Sequence, residues 1–278
     1  MNDSVRQFYG SLARDYHLMY ADWRNEVPRQ GKLLDGLIRQ HLGGKPASVL
    51  DCTCGIGTQA IGLATQGYRV HATDLSPEAV ARAKREAETF GVTLMSDVAD
   101  VRALETKVTD VFDVVVSFDN SFSHLLEDAD LLKSARQIWA RLRMDGLLLI
   151  SIRDYDQVVQ ERLQKSKTRV PGLPGLLPPS ASDKTQPTLP RVFDDAEGRR
   201  IVFQIWDWAD DERSYTVNHF HVIQKPGGWE THCYVSHFRA LQRHELSEIL
   251  HSAGFSEIRW LMPEESGYYQ PIVSARKR

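Results

Sequence analysis

Val49-Leu50-Asp51-Cys52-Thr53-Cys54-Gly55-Ile56-Gly57-Thr58-Gln59-Ala60 is the stretch from which the rest of the chain can be read. Val49 and Leu50 end a short apolar run, the pattern of a buried parallel strand. Gly55 and Gly57 then supply a tight turn, and from Thr58 the residues Ile61, Leu63 and Ala64 read as a helix. A strand, a glycine turn and a helix N-terminus together make a nucleotide site. Gly55-x-Gly57-x-x-Ala60 fits the broad dinucleotide fingerprint, which alone is weak evidence. Asp51 stands before the turn, where a carboxylate repels a pyrophosphate. Asp74 ends a second apolar run, Tyr68 to Thr73, about 20 residues on, where an acid can hold ribose hydroxyls. A nicotinamide enzyme, or a Rossmann domain without cofactor, stays open on these residues alone.

The chain of 278 residues is long enough for one large domain or a core with an elaboration. Its hydrophobic content of 42% and charged content of 26% place it among ordinary globular proteins. A formal net charge of −3 without an arginine-rich run disfavours a nucleic-acid partner. Three cysteines, Cys52, Cys54 and Cys233, make no disulfide framework, and Cys52-x-Cys54 lacks the spacing of a redox or zinc pair. No resident metal is expected. No leader-like segment and no run near the ~20 residues of a membrane span is seen, so the expected setting is a reducing cytoplasm without membrane contact. Assembly with further copies of the chain stays open.

Taken in order, residues 1–45 read as an aromatic-rich N-terminal helical lid (Phe8, Tyr9, Tyr16, Tyr20, Trp23) and a helix begun by Pro28 and stopped by Gly43-Gly44. Residues 46–164 alternate strand and helix, the signature of a parallel α/β sheet. The strands fall at 48–51, 69–74, 92–95, 112–118 and 146–152, with a helix capped by Ser76 and started by Pro77. Residues 165–240 change character. A proline-rich loop, 165–190, precedes β-rich segments at 200–208, 215–224 and 229–239 separated by turn residues. They predict an inserted antiparallel sheet on the substrate side. Residues 241–278 return a helix and two closing strands. The fold class is therefore α/β, with a Rossmann-like, seven-stranded, mostly parallel sheet and helices on both faces.

Two further segments carry a resemblance. Asp119-Asn120-Ser121-Phe122-Ser123-His124-Leu125 follows the fourth strand, and Ile152-Arg153-Asp154-Tyr155-Asp156 follows the fifth. With the run from Trp260 to Pro271 they resemble motifs of the glycine and glycine-sarcosine N-methyltransferases. The glycine loop resembles the first motif of class I S-adenosylmethionine (SAM)-dependent methyltransferases, and an acid before the glycines suits a nucleoside whose tail carries an ammonium group. The similarity is weakest over 165–230.

The resemblance implies SAM as cofactor and S-adenosylhomocysteine as product, with Asp51, Thr53, Gly55, Asp74 and Leu75 around the nucleoside. It implies Asp100 (with Asp97 as competitor) at the adenine amino group, and Val101 packed on the ring. Phe118 and Asn120 would line the methionine part. Arg29 or Arg24 is a candidate for its carboxylate, since a guanidinium binds carboxylate through two bonds. Tyr16, Tyr20 and Trp23 are candidates to close over the sulfonium. On the acceptor side stand Tyr20, Asn120, Arg153, Tyr155 and Tyr234, with Arg153 implied to bind the carboxylate of an amino-acid substrate. Asn120 could orient the attacking nitrogen. His124, and less so His219, His221 and His237, are candidate bases because imidazole titrates near neutrality. The implied activity is in-line methyl transfer to a small amine such as glycine, sarcosine or a related amino acid. The aromatic-rich insertion would equally suit a heteroaromatic metabolite methylated on nitrogen or oxygen. A SAM-binding sensor without catalysis is a third reading.

Overall fold

The computed structural model describes residues 3–44, 48–167 and 184–278. Most of the proline-rich loop read at 165–190 lies outside the described residues. Along the chain, β1 (Ser48–Asp51), β2 (Arg69–Asp74), β3 (Met95–Val98), β4 (Phe112–Ser117) and β5 (Leu142–Ser151) alternate with helices. Then come β6 (Thr185–Pro187), β7 (Arg191–Asp195), β8 (Gly198–Trp208), β9 (Ser214–Lys225) and β10 (Gly228–Arg239), and finally β11 (Phe255–Leu261) and β12 (Ile272–Lys277). By packing, Met1–Arg153 with His244–Arg278 form one compact unit and Asp154–Arg243 a second.

The first unit holds a seven-stranded sheet in the order β11-β12-β5-β4-β1-β2-β3. Only β12 runs against its neighbours. The chain grows outward from β1 through β2 and β3, then returns to β4 on the other side. The order therefore reverses between β1 and β4, and the carboxyl ends of those strands open a crevice, where open α/β sheets bind ligands. The strands are apolar throughout because helices cover both faces: Val49, Leu50, Val114, Val115, Val116, Leu147, Leu148 and Leu149 are all fully buried.

One helix, Trp23–Leu42, is fixed unusually closely. A Cβ on Gly31 would lie 2.2 Å from the carbonyl oxygen of Gly62 in the helix Thr58–Thr65. Backbone thus touches backbone at this crossing, and the helix that follows the glycine turn is held from behind.

Several boundaries differ from the sequence reading: β5 begins at Leu142 rather than at 146, β6 falls inside the segment read as a loop, and two further differences have a clear local cause. The helix expected to start at Pro28 starts at Trp23, because Asp22 caps it by accepting the Asn25 N–H at 3.0 Å. Pro28 then sits inside the helix and forfeits one backbone bond. The third strand lies at 95–98 rather than 92–95. Gly91 (φ 67°) donates to the Glu88 carbonyl and Val92 to the Ala87 carbonyl, which closes the helix Pro77–Thr89 and uses up the residues expected to pair.

In the second unit β10, β9, β8 and β6 form an antiparallel sheet, with β7 also on β8. Tyr215, Val217, His219, His221 and Ile223 alternate inward along β9. Trp206 and Trp208 pack on Tyr215, and Val158 and Val159 of the helix Tyr155–Lys167 close over them. The seven-stranded sheet, the separate antiparallel sheet and the N-terminal helices agree with the fold class read from the sequence.

Candidate functional site

At the carboxyl ends of β1, β2 and β4 the first unit encloses about 690 Å³, counting the open mouth. Cys52, Thr53, Cys54, Gly55, Thr58 and Gln59 line it from the glycine turn, Asp74 and Leu75 from the end of β2, and Ala99 and Val101 from beyond β3. Phe118, Asp119, Ser121, Phe122, His124 and Leu125 line it from beyond β4, and Val5, Tyr9 and Tyr16 from the N-terminal segment.

The turn has its shape for steric reasons. Gly55 (φ 53°) and Gly57 (φ 95°) both take left-handed backbone. A Cβ on Gly57 would meet Ile61 Cδ1 at 2.9 Å and Ala83 Cβ at 3.1 Å, whereas one on Gly55 would meet nothing within 4 Å. Gly57 is thus required by packing and Gly55 by backbone angle. The Gly55 N–H donates to Asp74 Oδ2 at 2.9 Å and the Ser76 N–H to Asp74 Oδ1 at 2.9 Å. Burial still raises the Asp74 carboxyl above its ordinary value, against the pull of these two donors.

Asp51 lies behind the turn at 1% exposure. Its Oδ1 accepts the Thr53 N–H, and its Oδ2 has no hydrogen-bond partner among the described residues. Burial pushes this carboxyl up to about 8. A buried carboxylate oxygen without a donor is costly unless a donor arrives. Burial also raises both neighbouring thiols, Cys52 and Cys54, which keeps them protonated and unreactive.

Beyond β4, Asp119 (φ 57°) and Asn120 (φ 70°) are two successive non-glycine residues in left-handed backbone. Such strain persists only where the surroundings enforce it. Asn120 Oδ1 accepts the Arg153 N–H at 3.0 Å and the Ser123 hydroxyl at 2.8 Å. The Asp119 carboxylate accepts four side-chain donors: Tyr268 at 2.5 Å and Tyr269 at 2.6 Å on Oδ1, Gln59 at 3.0 Å and Tyr20 at 3.2 Å on Oδ2. Burial raises the Tyr268 phenol well above its ordinary value, so it remains a donor. Nearby, the Tyr9 hydroxyl and His124 Nε2 lie 2.9 Å apart.

Of the residues read from the sequence, Tyr16, Thr53, Gly55, Asp74, Leu75, Val101, Phe118 and His124 come together on this wall. Tyr20 reaches it through its bond to Asp119, and Asn120 adjoins it and accepts the backbone N–H of Arg153, which brings the Arg153 backbone to this edge. Trp23, Arg29 and Asp100 lie elsewhere. Trp23 is buried in the core and donates its ring N–H to Thr58 Oγ1 at 2.9 Å. Arg29 pairs with Glu26 one helical turn away at 2.7 Å. Asp100 caps the turn Val101–Thr106 and is gripped by Arg102 at 2.8 Å, while Asp97 meets His71 at 2.9 Å. Tyr155 and Tyr234 belong to the second unit. There Tyr155 bonds Tyr215 hydroxyl to hydroxyl at 2.7 Å, and Tyr234 packs edge-on against His221. Gln59, Tyr9 and Tyr268 enter the site without having been singled out as site residues, although Tyr9 lies in the aromatic-rich N-terminal segment and Tyr268 in the run from Trp260 to Pro271. Asp119 was read only through its backbone, as part of the segment after β4.

Residues 49–146 match the family model described as a methyltransferase domain. The chain is 33% identical over 139 residues to a glycine/sarcosine N-methyltransferase of Parasynechococcus marenigrum, across 50% of this chain and 48% of that protein. It spans about half the length of the curated relatives it matches. In fold it is similar to a SAM-dependent methyltransferase of Clostridium acetobutylicum, with a TM-score of 0.69 at 14% identity over 96% of this chain and 97% of that one. It is also similar to the SAM-bound amino pentose methyltransferase of Micromonospora echinaspora, with a TM-score of 0.64 at 17% identity over 92% of both chains. The family model thus marks residues 49–146 as a methyltransferase domain, and the fold is similar to that of SAM-dependent methyltransferases. Within that class, the sequence likeness is to the glycine/sarcosine N-methyltransferases. Among the described residues no cluster of three or more His, Cys, Asp or Glu could hold a metal ion, and no helix is long and apolar enough to cross a membrane.

Proposed function

We propose that the protein is a SAM-dependent N-methyltransferase of a small amine. The observation that carries this reading is the pair of buried acids at the switch point. Asp74 stands at the end of β2, where an acid accepts from ribose hydroxyls. Asp51 keeps one buried carboxylate oxygen without a donor, beside a cavity whose wall has no lysine or arginine among the described residues. A nucleoside carrying a sulfonium and an ammonium group fits that charge pattern, and a pyrophosphate does not. SAM, when bound, supplies a methyl group activated on sulfur. The chain's own residues then have three tasks. Asp74 and the Gly55 N–H fix the sugar end. Val101 and Phe118 exclude water with apolar surface. Tyr16 and Tyr9, from the N-terminal segment, cover the far side and act as the lid. Proximity and alignment supply much of the rate of such a transfer, and no covalent enzyme intermediate is needed.

The relatives matched in sequence include glycine and sarcosine methyltransferases, which supports an amino-acid acceptor held by Arg153 just past β5. The test is methyl transfer from labelled SAM to glycine, sarcosine, glycinamide, other small amines and heteroaromatic alcohols. The reading expects product with amines and preference for glycine or sarcosine over glycinamide. Transfer to the alcohols alone, or SAM binding without transfer to anything offered, would overturn it.

A further inference from the structure

The Asp119 carboxylate draws four residues from three separate places in the first unit onto one point: Tyr20, Gln59 and the adjacent pair Tyr268 and Tyr269. It also sits on the cavity wall. A carboxylate has about four acceptor sites, and all four are used here by neutral donors. Asp74 is the other acid on that wall, and no lysine or arginine joins them among the described residues. Aromatic rings surround Asp119. Tyr268 and Tyr269 lie 4.8 Å apart, Tyr16 and Tyr20 6.3 Å apart, and Phe118 meets Tyr268 edge-on at 5.1 Å. An anion ringed by aromatic faces is a seat for a cation. Tyr269 is 56% exposed, so its bond is the one that an incoming N–H group can replace with least loss.

Resting on the functional reading above, we propose that Asp119 receives the amino group of the methyl acceptor and holds the positive charge that methyl transfer creates on its nitrogen. The balance is simple. The neutral amine gives an N–H hydrogen bond to Asp119 and its lone pair to the methyl carbon. The nitrogen–carbon bond forms while the carbon–sulfur bond breaks, and that pair stays on sulfur. The unit of positive charge moves from sulfur to nitrogen, and the methylated ammonium leaves with its proton. A fixed carboxylate at nitrogen is stronger in the transition state than before it, which is what accelerates a reaction. An oxygen acceptor that reacts as an anion gains nothing from this carboxylate. Asp119 therefore selects basic amines.

The experiment compares wild type with Asp119→Asn, which keeps the shape and removes the charge. Turnover is measured with glycine, sarcosine, 2-aminoethanol and benzylamine, with catechol as the oxygen control, and SAM affinity by calorimetry. The expected result is a fall in kcat of about 100-fold for the best amine, with SAM affinity held. The wild type provides a second measurement should the variant fold poorly. Tetramethylammonium should compete with the amine at roughly tenfold lower concentration than tert-butanol, which has the same shape without charge. Amine turnover in Asp119→Asn within about threefold of wild type, a parallel loss of SAM affinity, or equal inhibition by the two competitors would overturn the assignment while leaving the methyltransferase reading in place. A wild type that methylates catechol and no amine would overturn both.

Discussion

Asp74, the last residue of β2, and Asp119, two residues past β4, are both acids at the carboxyl end of a parallel strand, and both face one cavity, yet they are held by different means. Asp74 is held by backbone: the N–H groups of Gly55 and Ser76, both close to the glycine turn or to itself in sequence. Asp119 is held by side chains drawn from residues 20, 59, 268 and 269. The backbone-held acid belongs to a rigid local motif, suited to the part of a ligand that does not change during reaction. The side-chain-held acid belongs to an assembly that single substitutions can retune, suited to the part that differs between acceptors. On the proposed reading, the first serves the cofactor and the second the acceptor.

The largest expected effect falls on the backbone-held side. Asp74→Ala should weaken SAM binding by roughly 2–4 kcal/mol, because two ribose hydroxyls lose a charged acceptor. Calorimetry checks this, and unchanged affinity in a folded variant would break the comparison at its first term. Next comes Gly31→Ala, which forces a Cβ to 2.2 Å from the Gly62 carbonyl oxygen. It should cost about 2–3 kcal/mol of stability, while Gly36→Ala, with nothing within 4 Å of its Cβ in the same helix, should gain roughly 0.5 kcal/mol. Denaturant titration of the pair separates close packing from helix propensity.

A more gradual effect is a dependence on pH. The Asp51 carboxyl is raised from 3.8 to about 8, so across that window the folded protein holds a proton that the unfolded chain has released. Stability must then fall as pH rises between about 4 and 8, and Asp51→Asn should flatten the slope. Melting curves at a series of pH values decide it; an unaltered slope would assign the dependence to other groups. The smallest effect is Trp23→Phe, expected to cost about 1 kcal/mol of stability for the lost bond to Thr58, with SAM affinity preserved. Loss of affinity there would return Trp23 to the lid.

The same contrast explains what could be read from the chain. The succession of strands, the glycine turn and the place of Asp74 were legible because each depends on residues close together: an apolar run, a turn that needs positive φ, an acid at a strand end. Asp100 stands where the pattern asks for an acid, yet Arg102, two residues on, captures it. Arg29 is an i,i+3 partner of Glu26, a local pairing that placement alone does not reveal. The Asp119 cluster was not legible, because Tyr20 and Tyr268 are brought together by the whole fold of the first unit and share no spacing. The start of the helix Trp23–Leu42 was misplaced because Pro28 is the stronger written signal and Asp22 the stronger physical one.

The most direct test of the central claim, that the cavity at β1, β2 and β4 is a SAM site, is calorimetric titration of the wild-type protein with SAM and, separately, with NAD. Saturable binding of SAM and none of NAD is expected, since Asp51 gains an ionised partner only when an ammonium group arrives and neither buried acid offers a donor array for a pyrophosphate. Binding of NAD with no heat from SAM would contradict it.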